Sequence, residues 1–382
     1  MRVLILSCNT GQGHNSAAKA VAEQIKLLGN ECIIKDALAY ASEHYSKLIC
    51  SSYTKIVMHT PKAFGAGYKL CKTMSSQQGN IKSLAYMSNM MCCKKLYDDI
   101  SEGTFDAVIC THVFAGQAMT HLKHKYNLNI PIYIISTDYS FCPFFNELDV
   151  DRYFIPISVI EHEFTNMGIP LDKITVSGIP VSARFSNSEN LTNKDDYKRK
   201  LGLDESRDYC LIMSGSMGYG DIYELVDMIN EKHISETSII VICGNNSKLK
   251  DGIEEKYAKD ERVTAVGFTD KVDAYMKASS VVVTKPGGLS STEAMVCGVP
   301  LVLTKPIPGC ETENYDILTQ LETALGGQKT AEAAEKIAVV LNNPEVSEHI
   351  VEMQKKYIKK DSARVIAESV LRGKSVENEF VS

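Results

Sequence analysis

The feature that most constrains the fold is a series of short, β-branched apolar runs separated by longer amphipathic segments. The runs are RVLILS at 2–7, DAVICTH at 106–112, IPIYIIST at 130–137, DRYFIP at 151–156, KITVSG at 173–178, YCLIMSG at 209–215, SIIVICG at 238–244, RVTAVG at 262–267, SVVVTK at 280–285 and PLVLTK at 300–305. They are apolar throughout rather than alternating, the pattern of parallel strands covered on both faces. The stretches between them carry helical spacing, which makes this an α/β chain of βαβ units.

A polar stretch, SNSENLTNKDDYKRKLGLDESRD, interrupts the series between Gly178 and Tyr209. It reads as an interdomain linker plus the first helix of a second domain. The expected domains are 1–182, joined by a returning helix at 361–382, and 196–360. The stretch 345–371 has helical spacing, and the tail after Arg372 is expected to fray. Two open parallel sheets place a ligand cleft where their strand C-termini meet, so function is expected in the loops after the strands.

At 382 residues the length suits more than one domain, and 44% hydrophobic residues suffice for real cores. The net charge of -6 gives no reason to expect nucleic acid as a partner. No apolar run reaches a membrane-spanning length, and Val3–Leu6 is too short for a secretory signal core. Twelve cysteines without a CxxC pair fit buried thiols in a reducing cytoplasm rather than zinc or redox chemistry.

Charge is uneven. From His44 to Tyr97, 54 residues carry no Asp or Glu but hold eight lysines and five methionines, with Tyr45, Tyr53, Phe64, Tyr68 and Tyr86. Such a field on an acidic chain points to an anionic partner surface.

The first run ends in SCNTGQGH. Gly11 and Gly13 allow a tight turn and close backbone approach, and His14 at its mouth has the chemistry of a base at neutral pH. The run at 130–137 leads into Asp138, placed to orient a histidine, to accept a proton or to cap a turn; His112 is a weaker candidate of the same kind. In the second half, Gly215 and Ser216, Gly244 and Asn245, and Gly267 and Phe268 each follow a strand. Then Lys285-Pro-Gly-Gly, with Gly287 and Gly288, leads into Ser290, Ser291, Thr292 and Glu293. Successive N–H groups, hydroxyls and a helix start make a diphosphate cradle, with Glu293 placed for ribose hydroxyls. The loop PIPGCETENY offers Glu311, Glu313 and Asn314 to sugar hydroxyls or as helix caps. Asp149-Val-Asp151 leads into a strand rather than following one, so no metal site is expected.

Together these segments resemble glycosyltransferase family 28, above all the monogalactosyldiacylglycerol synthases and the processive diacylglycerol glucosyltransferases. The resemblance rests on Asn9-Thr-Gly-Gln-Gly-His14, Thr137-Asp138, Lys285 to Ala294 and Pro308-Gly-Cys-Glu-Thr-Glu-Asn314, and runs nearly the whole length of the chain. It implies a GT-B architecture: two Rossmann-like domains, a cleft between them and a C-terminal helix crossing back. It implies inverting, metal-independent transfer of glucose or galactose from UDP-glucose or UDP-galactose to diacylglycerol, with no cofactor. His14 and Asp138 match the family's essential pair, Glu293 its ribose-binding Glu, and Glu311 and Asn314 its sugar-binding positions. Asn9, Gln12 and Cys310 depart from the family pattern. The basic segment 44–97 is then expected on an anionic leaflet, which places the protein peripherally on the inner face of the cell membrane. The alternatives are N-acetylglucosamine transfer to a lipid-linked peptidoglycan precursor, a UDP-sugar epimerase of the same fold, and a non-catalytic nucleotide-sugar-binding or membrane-scaffold protein.

Overall fold

The computed structural model describes residues 1–9, 12–40, 42, 46, 51–52, 55–57, 59–77, 83, 86–87, 93–186, 193–213, 221–231 and 237–373. The chain forms two compact units, Met1–Ala183 with Lys359–Ser382, and Arg184–Ile358.

In the first unit, β1 (Arg2–Ser7), α1 (Gln12–Leu27) and β2 (Glu31–Asp36) are followed by α2 (Pro61–Gln77), α3 (Cys93–Gly103) and β3 (Ala107–Cys110). Then come α4 (Val113–Tyr126), β4 (Ile132–Ile135), β5 (Arg152–Ile155), α5 (Glu161–Asn166) and β6 (Ile174–Val176), and the short α6 (Ala183–Ser186) spans the boundary to the second unit. The sheet order is β2-β1-β3-β4-β5-β6, and every pairing is parallel. Val3, Leu4, Ile5 and Leu6 are fully buried, as strands covered on both faces require.

β2 was not among the expected strands. It lies at the sheet edge with Glu31, Lys35 and Asp36 in it, so the continuous apolar signal is missing. The expected helical stretch at 345–371 is two helices, α14 and α15 below, separated where Ile358 turns extended. The last helix packs on α1, where Ala363, Ile366, Ala367 and Val370 join Ala18, Val21 and Ile25 in one core. That apolar spacing is one face of a helix.

The acid-free segment takes its partners from elsewhere in this unit. Glu147, buried, accepts from the Ser83 backbone N–H at 2.7 Å, the Ser83 hydroxyl at 2.9 Å and the Gln117 amide at 2.7 Å. Lys72 lies 3.7 Å from Glu163. Leu70 is 61% and Met74 42% exposed on α2, beside exposed Lys62 and Lys69. Lys47 and Lys82 lie outside the described residues.

The second unit holds α7 (Lys194–Leu201), β7 (Tyr209–Met213), α8 (Ile222–Glu231), β8 (Ser238–Gly244), α9 (Ser247–Lys256), β9 (Val263–Gly267), α10 (Val272–Ala278) and β10 (Val281–Thr284). It continues with α11 (Gly288–Cys297), β11 (Leu301–Leu303), α12 (Cys310–Gln320), β12 (Leu325–Gly326), α13 (Thr330–Asn342) and α14 (Pro344–Tyr357); α15 (Ser362–Arg372) belongs to the first unit. Its sheet order is β12-β11-β10-β7-β8-β9. The two-residue β12 was also unforeseen, since a strand that short carries no pattern. Cys210 and Cys243 are core residues here, and Cys110 is buried in the first unit. Among the described residues, no helix is long and apolar enough to cross a membrane.

Strand order reverses between β1 and β3 in one unit and between β7 and β10 in the other. Such switch points are where open parallel sheets bind ligands.

Candidate active site

At the first switch point, the loop after β1 leads into α1, whose third residue is His14. Its Nδ1 lies 2.7 Å from the Thr111 carbonyl oxygen and 3.2 Å from the Thr137 hydroxyl. A carbonyl only accepts, so Nδ1 carries the proton and Nε2 keeps its lone pair. Among the described residues Nε2 makes no hydrogen bond. Burial lowers the His14 pKa below its ordinary value; the nearby Asp138 charge and the Thr111 bond push the other way. The sheet thus brings the ends of β1, β3 and β4 together around one imidazole, with Asp138 half-buried within its field.

His112 caps α4, its Nδ1 accepting the Phe114 N–H at 3.1 Å. Its ring stands edge-on to His14, centroids 4.6 Å apart. A chain of amides explains Asn9: Ser7 donates to Asn15 at 2.7 Å, Asn15 to Asn9 at 2.7 Å, and Asn9 to Asp36 at 2.8 Å. A carboxylate at position 9 would repel Asp36, so an amide belongs there. Gly13 is half-buried in the first turn of α1, and Gly11 lies outside the described residues.

In the second unit, β10 runs into Lys285-Pro286-Gly287, tightened by the Gly287 N–H donating to the Lys285 carbonyl at 2.8 Å. α11 starts at Gly288 without a side-chain cap, and the Ser291 N–H already bonds the Gly287 carbonyl at 3.0 Å. The N–H groups of Gly288, Leu289 and Ser290 therefore have no acceptor within the helix, which favours an anion. A Cβ on Gly287 would meet only ordinary contacts, the nearest Glu311 Oε1 at 3.8 Å, so protein packing does not demand glycine there.

Three expectations for this region are corrected: the helix start, the placement of Ser291 and Thr292, and the loop position of Glu311 and Asn314. The helix begins two residues before Ser290. Ser291 and Thr292 are buried on its inner side, and Thr292 donates to the Gly288 carbonyl at 2.6 Å, so neither hydroxyl lines the cradle. Glu293 stands in the second turn, half-buried; burial raises its pKa to about 7, against Arg184 and with Asp273. Glu311 and Asn314 are in α12 rather than a loop. Asn314 is fully buried and its amide donates to the Pro286 carbonyl at 3.0 Å, bracing the Lys285 turn instead of presenting itself to a sugar. Glu311 pairs with Lys285 and accepts the Ile307 N–H at 3.0 Å.

Gly267 ends β9, and Phe268 beyond it is 78% exposed, an open aromatic face. Gly244, the last residue of β8, has a φ of +57° and Asn245 is exposed, while Asn246 caps α9 by accepting the Leu249 N–H at 3.0 Å. Gly215 and Ser216 lie outside the described residues. A cavity of about 620 Å³ sits at the ends of β7, β10 and β11, lined in part by Thr284, Thr304, Lys305, Gln328 and Lys329. Sequence reading missed these residues. The available signal was the repeated Thr-Lys-Pro that ends both β10 and β11. Asp149 pairs with Lys123 and His124, and Asp151 accepts the Ile132 N–H at 2.9 Å, so both brace the start of β5.

Two Rossmann-like units of this kind, with polar loops gathered at each switch point, are the fold of the GT-B glycosyltransferases. Comparison with known proteins narrows this. The monogalactosyldiacylglycerol (MGDG) synthase family model matches residues 14–181, and that of glycosyl transferases group 1 matches residues 194–359. The chain is 26% identical over 380 residues to a processive diacylglycerol beta-glucosyltransferase of Bacillus pumilus, covering 97% of this chain and 94% of that one. It is 26% identical over 385 residues to the protein of that name from Bacillus subtilis, covering 97% and 95%. The fold is similar to Acinetobacter baumannii MurG, with a TM-score of 0.63 at 14% identity over 97% of this chain and 99% of that one. It is likewise similar to a UDP-GlcNAc 2-epimerase from Neisseria meningitidis, with a TM-score of 0.62 at 14% identity over 98% and 100%. The chain therefore resembles glycosyltransferase family 28 along nearly its whole length, its two halves matching the two family models separately. It is a UDP-sugar-dependent hexosyltransferase.

Proposed function

We propose that the protein transfers a hexose, glucose or galactose, with inversion from a UDP-sugar to the hydroxyl of diacylglycerol, making a membrane glycolipid. The observation that carries this reading is the His14 ring: Nδ1 is committed to the Thr111 carbonyl, which leaves Nε2 to take the acceptor proton. As the hydroxyl oxygen attacks the anomeric carbon, the bond to the diphosphate breaks and the proton passes to Nε2. Asp138 stabilises the imidazolium that results. Charge developing on the leaving UDP is met by the α11 N–H groups and Lys285, without a metal ion. Glu293 is assigned to ribose, the Phe268 face to the base, and Glu311 to hexose hydroxyls. The names of the full-length relatives support diacylglycerol as acceptor and glucose as the first donor to try.

The exposed Leu70 and Met74 beside Lys62 and Lys69 on α2 suit a helix lying on an anionic leaflet, which supports a peripheral position on the inner face of the cell membrane as part of this proposal.

The test is incubation with UDP-glucose or UDP-galactose and diacylglycerol vesicles, followed by mass spectrometry of the lipid extract. A hexosyl-diacylglycerol that is lost with His14→Ala and persists in EDTA is expected. Conversion of a UDP-sugar to its epimer without lipid would replace the reading with an epimerase, and a product made only from a lipid-linked muropeptide would replace diacylglycerol. Flotation decides the membrane surface: equal binding to neutral and anionic vesicles removes the electrostatic part.

A further inference from the structure

We infer that His112 is a positioning residue for His14: capped onto the start of α4, its ring stands edge-on against the His14 ring and holds it at the Thr111 carbonyl. This deepens the reading above, since it presupposes that His14 is the base, but the geometry behind it is independent of the acceptor. Thr111 and His112 are consecutive, so one backbone turn after β3 supplies both the carbonyl that fixes the His14 tautomer and the ring that packs against it. His112 cannot itself take the proton at Nδ1 without giving up the Phe114 N–H at 3.1 Å. Phe114 also packs edge-on against His112, centroids 4.6 Å apart.

The consequence is electrostatic. A neutral His112 fills space that water would otherwise occupy beside His14, and burial together with His14 keeps the His112 pKa well below the ordinary histidine value. The groups acting on the His14 charge are Asp138 after β4 and the Thr111 carbonyl, both opposed by burial, and the His14 charge acts in turn on His112 from α4. With His112 removed, water enters and the pull of Asp138 is less opposed, so the His14 pKa rises and less neutral base is present below pH 7. A merely structural cap would lower stability without moving this titration.

The experiment is an NMR titration of the His14 ring in the full chain, wild type against His112→Asn, which retains a capping oxygen, with H112Q as a second variant. Expected is a rise of about one unit in the His14 pKa, and a transfer rate roughly threefold lower at pH 6 that recovers by pH 8. A His14 titration that stays within about 0.2 units in both variants overturns the inference, whatever happens to melting temperature. Absence of any lipid product from the wild-type protein would instead sink the transfer reading; the titration needs no turnover and still decides the role of His112.

Discussion

Lys285, just past the end of β10, is ion-paired with Glu311 in the first turn of α12, and both side chains are largely buried. The pair joins the loop expected to hold diphosphate to the residue expected to hold hexose. Glu311 is further held by the Ile307 N–H, so its carboxylate is fixed before any donor arrives.

Lys285→Met leaves that carboxylate buried and unpaired. It should destabilise the second unit by about 3 kcal/mol and abolish turnover, whereas the double variant K285M/E311L should recover most of the stability and none of the activity. Chemical denaturation with an activity assay reads both; a fully stable K285M would show that the pair contributes nothing to the fold.

Gly287→Ala tests the anion cradle. Nothing in the protein crowds a Cβ there, so the melting temperature should hold while affinity for UDP falls at least tenfold. Unchanged UDP affinity by calorimetry would move the diphosphate away from the α11 start.

Gly309 should behave in the opposite way. Its φ of +125° and ψ of -138° lie where L-residues are strained. Gly309→Ala is expected to cost about 1–3 kcal/mol and to displace Glu311, two residues on, with lower stability and weaker donor binding appearing together in melting and calorimetry.

Glu293 gives a pH signature. Its folded pKa of about 7 lies above the ordinary 4.5, so the folded chain holds a proton that the unfolded chain loses between those values. Stability should therefore fall as pH rises from 4.5 to 7 and then level off, and Glu293→Gln should remove its part of the slope. If the carboxylate accepts from ribose, UDP-glucose should bind more tightly as pH rises through 7, a trend absent from E293Q.

His14→Ala should lower kcat/KM by roughly 10²–10⁴. Because burial lowers the His14 pKa and Asp138 raises it, the acidic limb of the wild-type profile should lie below 6.5, and Asp138→Asn should move it lower still. A profile whose acidic limb ignores both substitutions would assign the base elsewhere.

Much of the site was legible because its parts are local. Asn9 to His14, Thr137-Asp138 and Lys285 to Glu293 each sit at the end of an apolar run, and buried parallel strands put such ends on the binding edge of a sheet. The roles of Ser291, Thr292 and Asn314 were not legible, because the same polar side chain points inward or outward according to helix phase. α11 starts at Gly288, two residues before Ser290, and turns Ser291 and Thr292 inward.

The linear order of residues determined the two-unit α/β plan and the loops that matter, since burial on both faces and strand-end chemistry are written into short contiguous stretches. The tertiary structure alone decided the edge strands β2 and β12, the pairing of Lys285 with Glu311 26 residues away, and the seating of His14 on a carbonyl 97 residues further along. Hydrogen bonds and ion pairs between distant segments leave no local pattern, because they depend on which strands become neighbours and not on what each strand contains.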